Sequence, residues 1–198
     1  MPEVKMSCAC GKTKASARAL TQNVSNRVKC YCRDCQAFAH YLDYADRALD
    51  PHGGTDITQM SQARFRITEG VENVSAIRLS NKGIARWRTT CCNSPIGNTL
   101  PSAALPFIGI VSTFFDDDVT PVIGPVSGHV NIDDAIDPPP ELSPLRGLSL
   151  FAVYAKLIWW RVKGDHKKTS LFDTETGAPI SEFKILTDNE RDQLYRQF

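Results

Sequence analysis

The chain has 198 residues, of which 42% are hydrophobic and 23% are charged, and its formal net charge is +1. This composition is typical of a globular protein with one domain, or one domain with an appendage. The near-neutral charge excludes the basic footprint of a nucleic-acid-binding protein, and no segment reaches the roughly 18 apolar residues that a membrane span needs. We therefore expect no nucleic-acid partner and no membrane span.

The cysteines are seven in number and fall into three clusters, Cys8/Cys10, Cys30/Cys32/Cys35 and Cys91/Cys92. A secreted disulfide framework more often spreads an even number of cysteines through a shorter chain. The N-terminal residues contain no apolar stretch of signal-peptide length. We therefore predict a cytoplasmic protein with reduced thiols that are available for metal.

The first half of the chain predicts short strands separated by turns. Residues 12–20 indicate one strand and residues 27–31 the end of another, whereas residues 36–42 are compatible with a short helix or a turn and residues 43–55 resemble a loop. Further short, often alternating runs rich in β-branched residues predict strands over 55–60, 63–68, 74–79 and 84–90. The last two of these strands flank a turn signal, so we predict a β-hairpin that leads to Cys91 and Cys92.

The second half of the chain changes character. Residues 107–115 predict a strand or a helix, and residues 121–144, which are rich in Pro and Gly, predict an irregular arm. Residues 148–162 predict a helix, because apolar residues recur at helical spacing. This helix is interpreted either as a core or dimer-packing helix, or as a membrane-surface helix with tryptophans beside basic residues. A capping-box pattern predicts a final helix over residues 188–197.

The central motif is Cys30-Tyr31-Cys32-Arg33-Asp34-Cys35, which places three thiols in a C-x-C-x-x-C pattern. This spacing is too tight for independent core cysteines and favours a metal, because the thiolates of a compact loop can converge on one ion. Thiolates select zinc over magnesium or calcium, and an iron–sulfur cluster is the lesser alternative because no fourth cysteine follows at the usual spacing. Three protein ligands with an open fourth position are the arrangement of catalytic zinc.

The flanking cysteines predict a second zinc site. Cys8-Ala9-Cys10-Gly11 is a C-x-C-G turn, in which glycine lets backbone N–H groups point at the sulfurs. Sheet formation would bring Cys91 and Cys92 to this turn and close one tetrahedral site. Because consecutive side chains in a strand point opposite ways, one of the later pair is alternatively free or reaches the other site.

Other candidate residues have two interpretations each. The acidic triplet Asp116-Asp117-Asp118 is either a divalent-cation site or a solvated turn. His40 is either a fourth metal ligand or acid/base group, or a polar-tipped helix residue. Asp34 either orients a metal-bound water or is a solvated loop residue, and Arg33 is a candidate contact for a carboxylate substrate.

Together, the motifs Cys8-x-Cys10-Gly11, Cys30-x-Cys32-x-x-Cys35 and Cys92-Asn93-Ser94-Pro95-Ile96 resemble those of the glutathione-dependent formaldehyde-activating enzyme family, which includes centromere protein V. The resemblance covers residues 7–98. It implies a mainly β fold, with a tent-like arrangement of small antiparallel sheets around zinc sites, here followed by a C-terminal helical extension. It also implies a structural zinc on Cys8, Cys10 and Cys92, a catalytic zinc on Cys30, Cys32 and Cys35, and a reaction that joins formaldehyde to glutathione, which is a carbon–sulfur lyase reaction in reverse.

The sequence departs from this family pattern at several positions. Thr89 stands where the family has its first late cysteine, and Cys91 is the candidate substitute from a shifted position. Asn93 replaces the usual glycine, and Tyr31 stands where histidine is common. We therefore interpret the chain as a divergent subfamily, of the kind described as a domain of unknown function.

The leading hypothesis is a zinc protein that resembles carbon–sulfur lyases acting on adducts of glutathione with aldehydes. Its expected partner is a small thiol such as glutathione, and a homo-oligomer is compatible with the tail helix. The alternatives are a non-catalytic structural zinc module that binds a partner, and a thiol redox or metal-sensing protein. We predict a zinc-binding β domain over residues 1–125, with a Pro-rich arm and helical extension packed on it over residues 126–198. The predicted ligands of Zn²⁺ are Cys8, Cys10, Cys91, Cys92, Cys30, Cys32 and Cys35.

Overall fold

The strands of the protein form two sheets in the computed structural model, which describes residues 3–137, 142, 144, 145 and 148–198. The fold is mainly β, which confirms the predicted fold class. The strands are β1 (Glu3–Ser7), β2 (Lys14–Arg18), β3 (Asn26–Cys30), β4 (Thr55–Ser61), β5 (Phe65–Glu69), β6 (Val74–Arg78), β7 (Ala85–Thr89), β8 (Pro95–Thr99), β9 (Phe107–Val111), β10 (His129–Val130) and β11 (Phe183–Ile185).

The smaller sheet is antiparallel, with the strand order β1-β2-β5. Its register pairs Met6 with Ala15, and both side chains are buried. The β1–β2 turn contains Cys8 and Cys10 and ends at Gly11, whose φ of 71° lies in the left-handed region that favours glycine. The sheet therefore presents the first cysteine motif at one of its ends.

The larger sheet has the order β10-β3-β4-β9-β8-β7-β6-β11 among the described residues. Its inner strands pair antiparallel, and the two short edge strands pair parallel to their neighbours. Cys30 is the last residue of β3, and Cys91 and Cys92 lie in the turn between β7 and β8. One sheet therefore carries parts of both predicted zinc sites.

Both edge strands of the larger sheet come from the predicted C-terminal extension. β10 pairs with β3 and β11 pairs with β6, while Leu171 and Phe172 are buried in the main core. The division of the chain at residue 125 stays a prediction. Residues beyond 125 nevertheless complete the sheet on which the cysteines lie.

The main core lies between the two sheets and is built around Trp87. This side chain is fully buried, and its Nε1 donates a hydrogen bond to Thr99 Oγ1 at 2.9 Å. Strands β8 and β9 approach so closely that a Cβ atom on Gly97 would lie 2.2 Å from the carbonyl oxygen of Gly109. Only a residue without a side chain fits there.

The helices of the described chain are α1 (Arg33–Tyr41), α2 (Ala45–Ala48), α3 (Thr120–Ile123), α4 (Leu148–Val162) and α5 (Asp188–Tyr195). Helix α1 follows the central cysteine motif directly and packs against α5 through a cluster that includes Phe38, Leu42 and Leu194. The predicted capping box is present at the start of α5, where Thr187 accepts from the backbone N–H of Glu190. The C-terminal helix is thus held on the helix that begins at the central motif.

The structure differs from the predicted elements in several places. Residues 43–55 include α2, and the arm predicted over 121–144 includes most of α3 and all of β10. Strands β1, β8 and β11 were not predicted, because β1 is an edge strand with charged side chains, β8 begins with Pro95, and β11 has only three residues. Short or edge strands carry little periodic signal. No helix of the described chain is long and apolar enough to cross a membrane.

Candidate metal centres

The first candidate site, the four-cysteine cluster, consists of Cys8, Cys10, Cys91 and Cys92. The Sγ–Sγ distances are 3.5 Å for Cys8–Cys10, 3.8 Å for Cys8–Cys91, 3.4 Å for Cys10–Cys91 and 3.9 Å for Cys91–Cys92. A tetrahedral ion with zinc–sulfur bonds of about 2.3 Å separates its sulfurs by roughly 3.8 Å. The donor set therefore fits a closed thiolate site, and the sheets bring the first and third cysteine motifs together.

The two consecutive cysteines point to the same place because they lie in a turn. Cys91 and Cys92 follow β7 and precede Asn93, whose φ of 54° is left-handed. The alternation that separates neighbouring side chains in a strand does not apply there. Ser94 Oγ accepts a hydrogen bond from the backbone N–H of Ala9 at 2.9 Å, which fixes this turn against the first motif.

Hydrogen bonds favour the thiolate form of two residues in the four-cysteine cluster, Cys92 and Cys8. Although burial opposes ionisation, contacts with Ser94 Oγ at 3.2 Å and Thr89 Oγ1 at 3.5 Å lower the pKa of Cys92 to about 5. Burial also opposes ionisation of Cys8, but the backbone N–H of Thr13 donates to its sulfur at 3.3 Å and the pKa of Cys8 is lowered. Thr89 is thus a hydrogen-bonding partner of the cluster.

The second candidate site, the three-cysteine cluster, consists of Cys30, Cys32 and Cys35. Their sulfurs all lie within 4.8 Å of one another, and the Cys30–Cys32 Sγ distance is 3.4 Å. Cys30 ends β3, Cys32 is the N-cap residue of α1, and Cys35 lies in the first turn of that helix. A helix N-terminus favours negative charge, and Cys35 is the thiol of this cluster whose pKa is lowered. The pKa of Cys32 is raised by its contacts with Cys30 and Cys35.

A buried arginine lies against the three-cysteine cluster. Arg86 is only 2% exposed, and its Nη1 lies 3.6 Å from Cys35 Sγ and 3.3 Å from Asn98 Oδ1. Hydrogen bonds from Cys30 and Cys32, together with the charge of Arg86, hold the pKa of Cys35 well below its usual value against the effect of burial. The guanidinium is therefore the positive partner of a buried thiolate.

Sequence reasoning did not assign Arg86 to the site. Ala85, Arg86 and Trp87 are consecutive and all buried, so β7 is covered on both faces. A charged side chain between two apolar ones in a fully buried strand requires a partner of opposite charge. That pattern is the signal that could have identified it.

The segment after α3 also reaches the three-cysteine cluster. Asn131 Nδ2 donates to Cys30 Sγ at 3.5 Å, and Asn131 has a left-handed φ of 55°. Gln36 Nε2 donates to the carbonyl oxygens of Tyr31 at 2.7 Å and Asp134 at 3.0 Å, which fixes the segment on the motif. The Asn131–Cys30 and Gln36–Asp134 contacts join residues 101 and 98 positions apart, and no local sequence pattern predicts them.

Helix α5 covers the other flank of the motif. Tyr195 donates a hydrogen bond from its hydroxyl to Asp34, whose carboxylate also lies 3.6 Å from Arg86 Nη2. Arg33 packs its guanidinium 4.7 Å from the centre of the Tyr195 ring. Asp34 and Arg33 thus hold the C-terminal helix in place.

Among its three thiols, the three-cysteine cluster is most exposed at Cys32 in the described structure. The cavity beneath Cys35 and Arg86 has a volume of about 10 Å³, which is room for about one water molecule. Cys30 and Cys35 are buried, whereas Cys32 is only half-buried. A ligand larger than water would therefore approach the cluster past Cys32.

The remaining candidates have structural partners. The His40 ring stacks on Phe198 with 5.3 Å between ring centroids, and His40 belongs to neither of the converging donor groups found among the described residues. Asp116 accepts from Ser7 Oγ, and Asp118 accepts from the backbone and hydroxyl of Thr120. Two of the three aspartates thus accept hydrogen bonds, Asp116 from the end of β1 and Asp118 within its own turn.

Comparison with known proteins places the chain in a family. The profile of a family of unknown function (DUF6151) matches residues 2–142. Curated proteins gave no match. A crystal structure of a Rhodobacter sphaeroides protein is 14% identical in sequence, with a TM-score of 0.43 over 62% of this chain and 96% of that chain. Because the matched profile covers most of the sequence, the chain belongs to this family of unknown function, DUF6151.

Proposed function

We propose that the protein holds zinc in both cysteine clusters and that the three-cysteine cluster binds a small thiol, such as glutathione, through an open coordination position. The four-cysteine cluster would be structural, because four thiolates complete a tetrahedral site. The resemblance of the cysteine motifs to those of the glutathione-dependent formaldehyde-activating family suggests the reaction. The protein would form or cleave a carbon–sulfur bond between the bound thiol and an aldehyde.

The observation that carries the proposal is the buried Arg86 against Cys35, with an Sγ–Nη1 distance of 3.6 Å. Zn²⁺ with three thiolates has a net charge of −1, and the guanidinium offsets that charge. A near-neutral site can accept a further anionic ligand such as a thiolate at a lower electrostatic cost. In the described structure, no buried arginine or lysine contacts the four-cysteine cluster in this way.

The exposed side of the cluster has the chemistry to receive an anionic thiol. Cys32 lies at the N-terminus of α1, where the helix dipole attracts negative charge. Arg33 is the next residue, and its guanidinium suits a carboxylate of a peptide thiol. Zinc, when bound, would lower the pKa of a coordinated thiol.

The proposed reaction balances without an oxidant or reductant. The thiol sulfur forms a bond to the carbonyl carbon of the aldehyde, and the thiol proton is transferred to the former carbonyl oxygen. The reverse reaction breaks the carbon–sulfur bond and returns the proton to sulfur. The product of the forward reaction with formaldehyde would be an S-hydroxymethyl thiol.

The first experiment measures zinc content and glutathione binding in the same preparations. We expect two zinc equivalents per chain, and an increase in Tm of about 5 °C or more at a glutathione concentration 100-fold above Kd. S-methylglutathione, which has no free thiol, serves as the control ligand and should give a much smaller shift. NMR of formaldehyde with glutathione then tests for faster exchange through the adduct.

Matched variants separate the two clusters. Cys32→Ser should abolish the glutathione-dependent shift, whereas Cys10→Ser should lower the intrinsic Tm and leave the ligand-dependent shift measurable. If both metals are bound and saturating glutathione changes neither Tm nor metal affinity, the thiol-binding proposal is wrong. The clusters would then be assigned as a non-catalytic zinc module.

A further inference from the structure

Helix α4 exposes a large apolar face. Phe151, Ile158 and Val162 are 70%, 64% and 73% exposed, and Tyr154 and Trp159 are exposed as well. At 100° per residue, these side chains cover a continuous arc that is centred near Phe151 and Val162. A continuous exposed apolar patch indicates an interaction surface, whereas apolar residues scattered singly over a surface are normal.

The opposite side of α4 fixes the orientation of the helix on the protein. Trp160 is buried. Lys156 Nζ donates to the carbonyl oxygen of Ser25 at 2.9 Å and to Asn26 Oδ1 at 2.7 Å. The helix is therefore anchored by its polar and buried side, and its apolar face points to solvent.

Basic side chains border the apolar face on both sides. On the helical wheel, Arg161 lies at one edge of the exposed arc and Lys163 at the other. Both are exposed. Long basic side chains at the edges of an apolar face can keep their charged groups in the polar layer while the face itself is buried.

The surroundings of the helix extend this positive charge. The sequence contains no acidic residue from Leu142 to Gly164. Beyond the helix, Lys163 and Lys168 line a groove together with Arg18 and Arg64. Asp165 also lies at this groove, but its carboxylate accepts a hydrogen bond from buried Ser61.

We propose that the α4 face binds an anionic lipid surface, with Phe151, Ile158, Trp159 and Val162 at the boundary between headgroups and acyl chains. The basic edges supply the attraction to anionic headgroups. A second copy of the chain is the other occupant to consider. The absence of acidic residues from Leu142 to Gly164 disfavours it, because paired α4 faces would bring Arg161 and Lys163 together without acidic partners from this stretch.

The test measures binding of the full-length protein to two kinds of vesicle. One contains phosphatidylcholine alone, and the other contains phosphatidylcholine with 30 mol% phosphatidylglycerol as the chosen probe composition. We expect sedimentation with the anionic vesicles in low salt, weaker binding in high salt, and a blue shift of Trp159 fluorescence. Trp87 and Trp160 are buried, so Trp159→Phe should remove most of the shift.

Variants test the two parts of the surface. Arg161→Gln with Lys163→Gln should weaken partitioning about thirtyfold, because each basic residue near an anionic surface contributes about a fivefold effect. Lys5→Gln with Lys82→Gln, which changes exposed lysines elsewhere, is the matched control. Circular dichroism of both variants checks that they are folded, so that a loss of binding can be distinguished from a folding defect.

The apolar face is tested in the same way. The double variant Ile158→Ser with Val162→Ser should not bind anionic vesicles. The control variant Val71→Ser, which changes an exposed apolar residue outside α4, should bind them as the unchanged protein does. No binding to anionic vesicles in low salt would overturn the proposal. So would a dimer in light scattering that Ile158→Ser with Val162→Ser converts to monomer, because the face would then belong to a second copy.

Discussion

Replacing Arg86 by glutamine tests the charge balance of the three-cysteine cluster. The change removes a guanidinium that lies 3.6 Å from Cys35 Sγ and replaces it with a neutral amide. At an effective dielectric constant of about 20, the attraction between unit charges at this distance is about 5 kcal/mol. Part of that energy is offset, because burying the guanidinium costs solvation free energy.

The net loss expected for Arg86→Gln is about 1.4 to 2.7 kcal/mol of metal-binding free energy. It corresponds to a 10- to 100-fold weaker affinity of the three-cysteine cluster, which is the usual effect of removing a residue that supports metal ligands. Competition with a chromophoric zinc chelator measures this affinity. The titration is carried out with proteins that also carry Cys10→Ser. This change disrupts the four-cysteine cluster, so that the three-cysteine cluster is the intact thiolate site.

The matched control is Arg27→Gln. Arg27 is a partly buried arginine of the same sheet that pairs with Asp56 at 2.7 Å, and within the described part of the chain no hydrogen bond or ion pair connects its side chain to a cysteine. We expect this variant to lower the free energy of unfolding and to leave zinc affinity unchanged. The reasoning is refuted if Arg86→Gln changes the affinity less than twofold, or if both arginine variants weaken it equally.

Further predictions concern the fold and the four-cysteine cluster. Cys92→Ser should reduce the bound metal from two equivalents to one, which elemental analysis measures. It should also lower Tm by about 10 °C in a thermal scan, because the metal no longer links the β1–β2 turn to the distant β7–β8 turn. Gly97→Ala should destabilise the protein by about 1 to 3 kcal/mol in urea unfolding, since the new methyl group would meet a carbonyl oxygen, and Gly83→Ala, with its ordinary contacts, is its control. Thr187→Ala should cost about 1 kcal/mol through loss of the helix cap, and an unchanged urea midpoint would contradict the capping contact.

Much of the fold could be predicted from local sequence signals. The hairpin of β6 and β7 follows from two alternating runs around a turn, and α4 and α5 follow from helical periodicity and a capping box. Of the interpretations of α4, packing into the core of the chain does not hold for Tyr154 and Ile158, which are exposed, whereas dimer packing and membrane-surface binding stay predictions. Periodicity identifies a helix with an apolar face, but it does not specify what covers that face.

The clustering of the cysteines could be predicted from the sequence, but the residues that contact the clusters could not. The spacing of Cys30, Cys32 and Cys35 is local, so the sequence alone indicates that they converge. Arg86 and Asn131 reach the same cluster from 51 and 101 positions away from the cysteines they contact. Such contacts depend on strand order, which local patterns do not determine.

The separation of the cysteines along the chain also sets the order in which the two clusters become complete during synthesis. Cys30, Cys32 and Cys35 leave the ribosome almost together, whereas Cys8 and Cys91 are 83 positions apart. At about 5 to 20 residues per second, Cys8 waits about 4 to 17 s for Cys91. The three-cysteine cluster can therefore be complete early in synthesis, whereas the cysteine contacts between the β1–β2 turn and the β7–β8 turn form only after β7 has emerged.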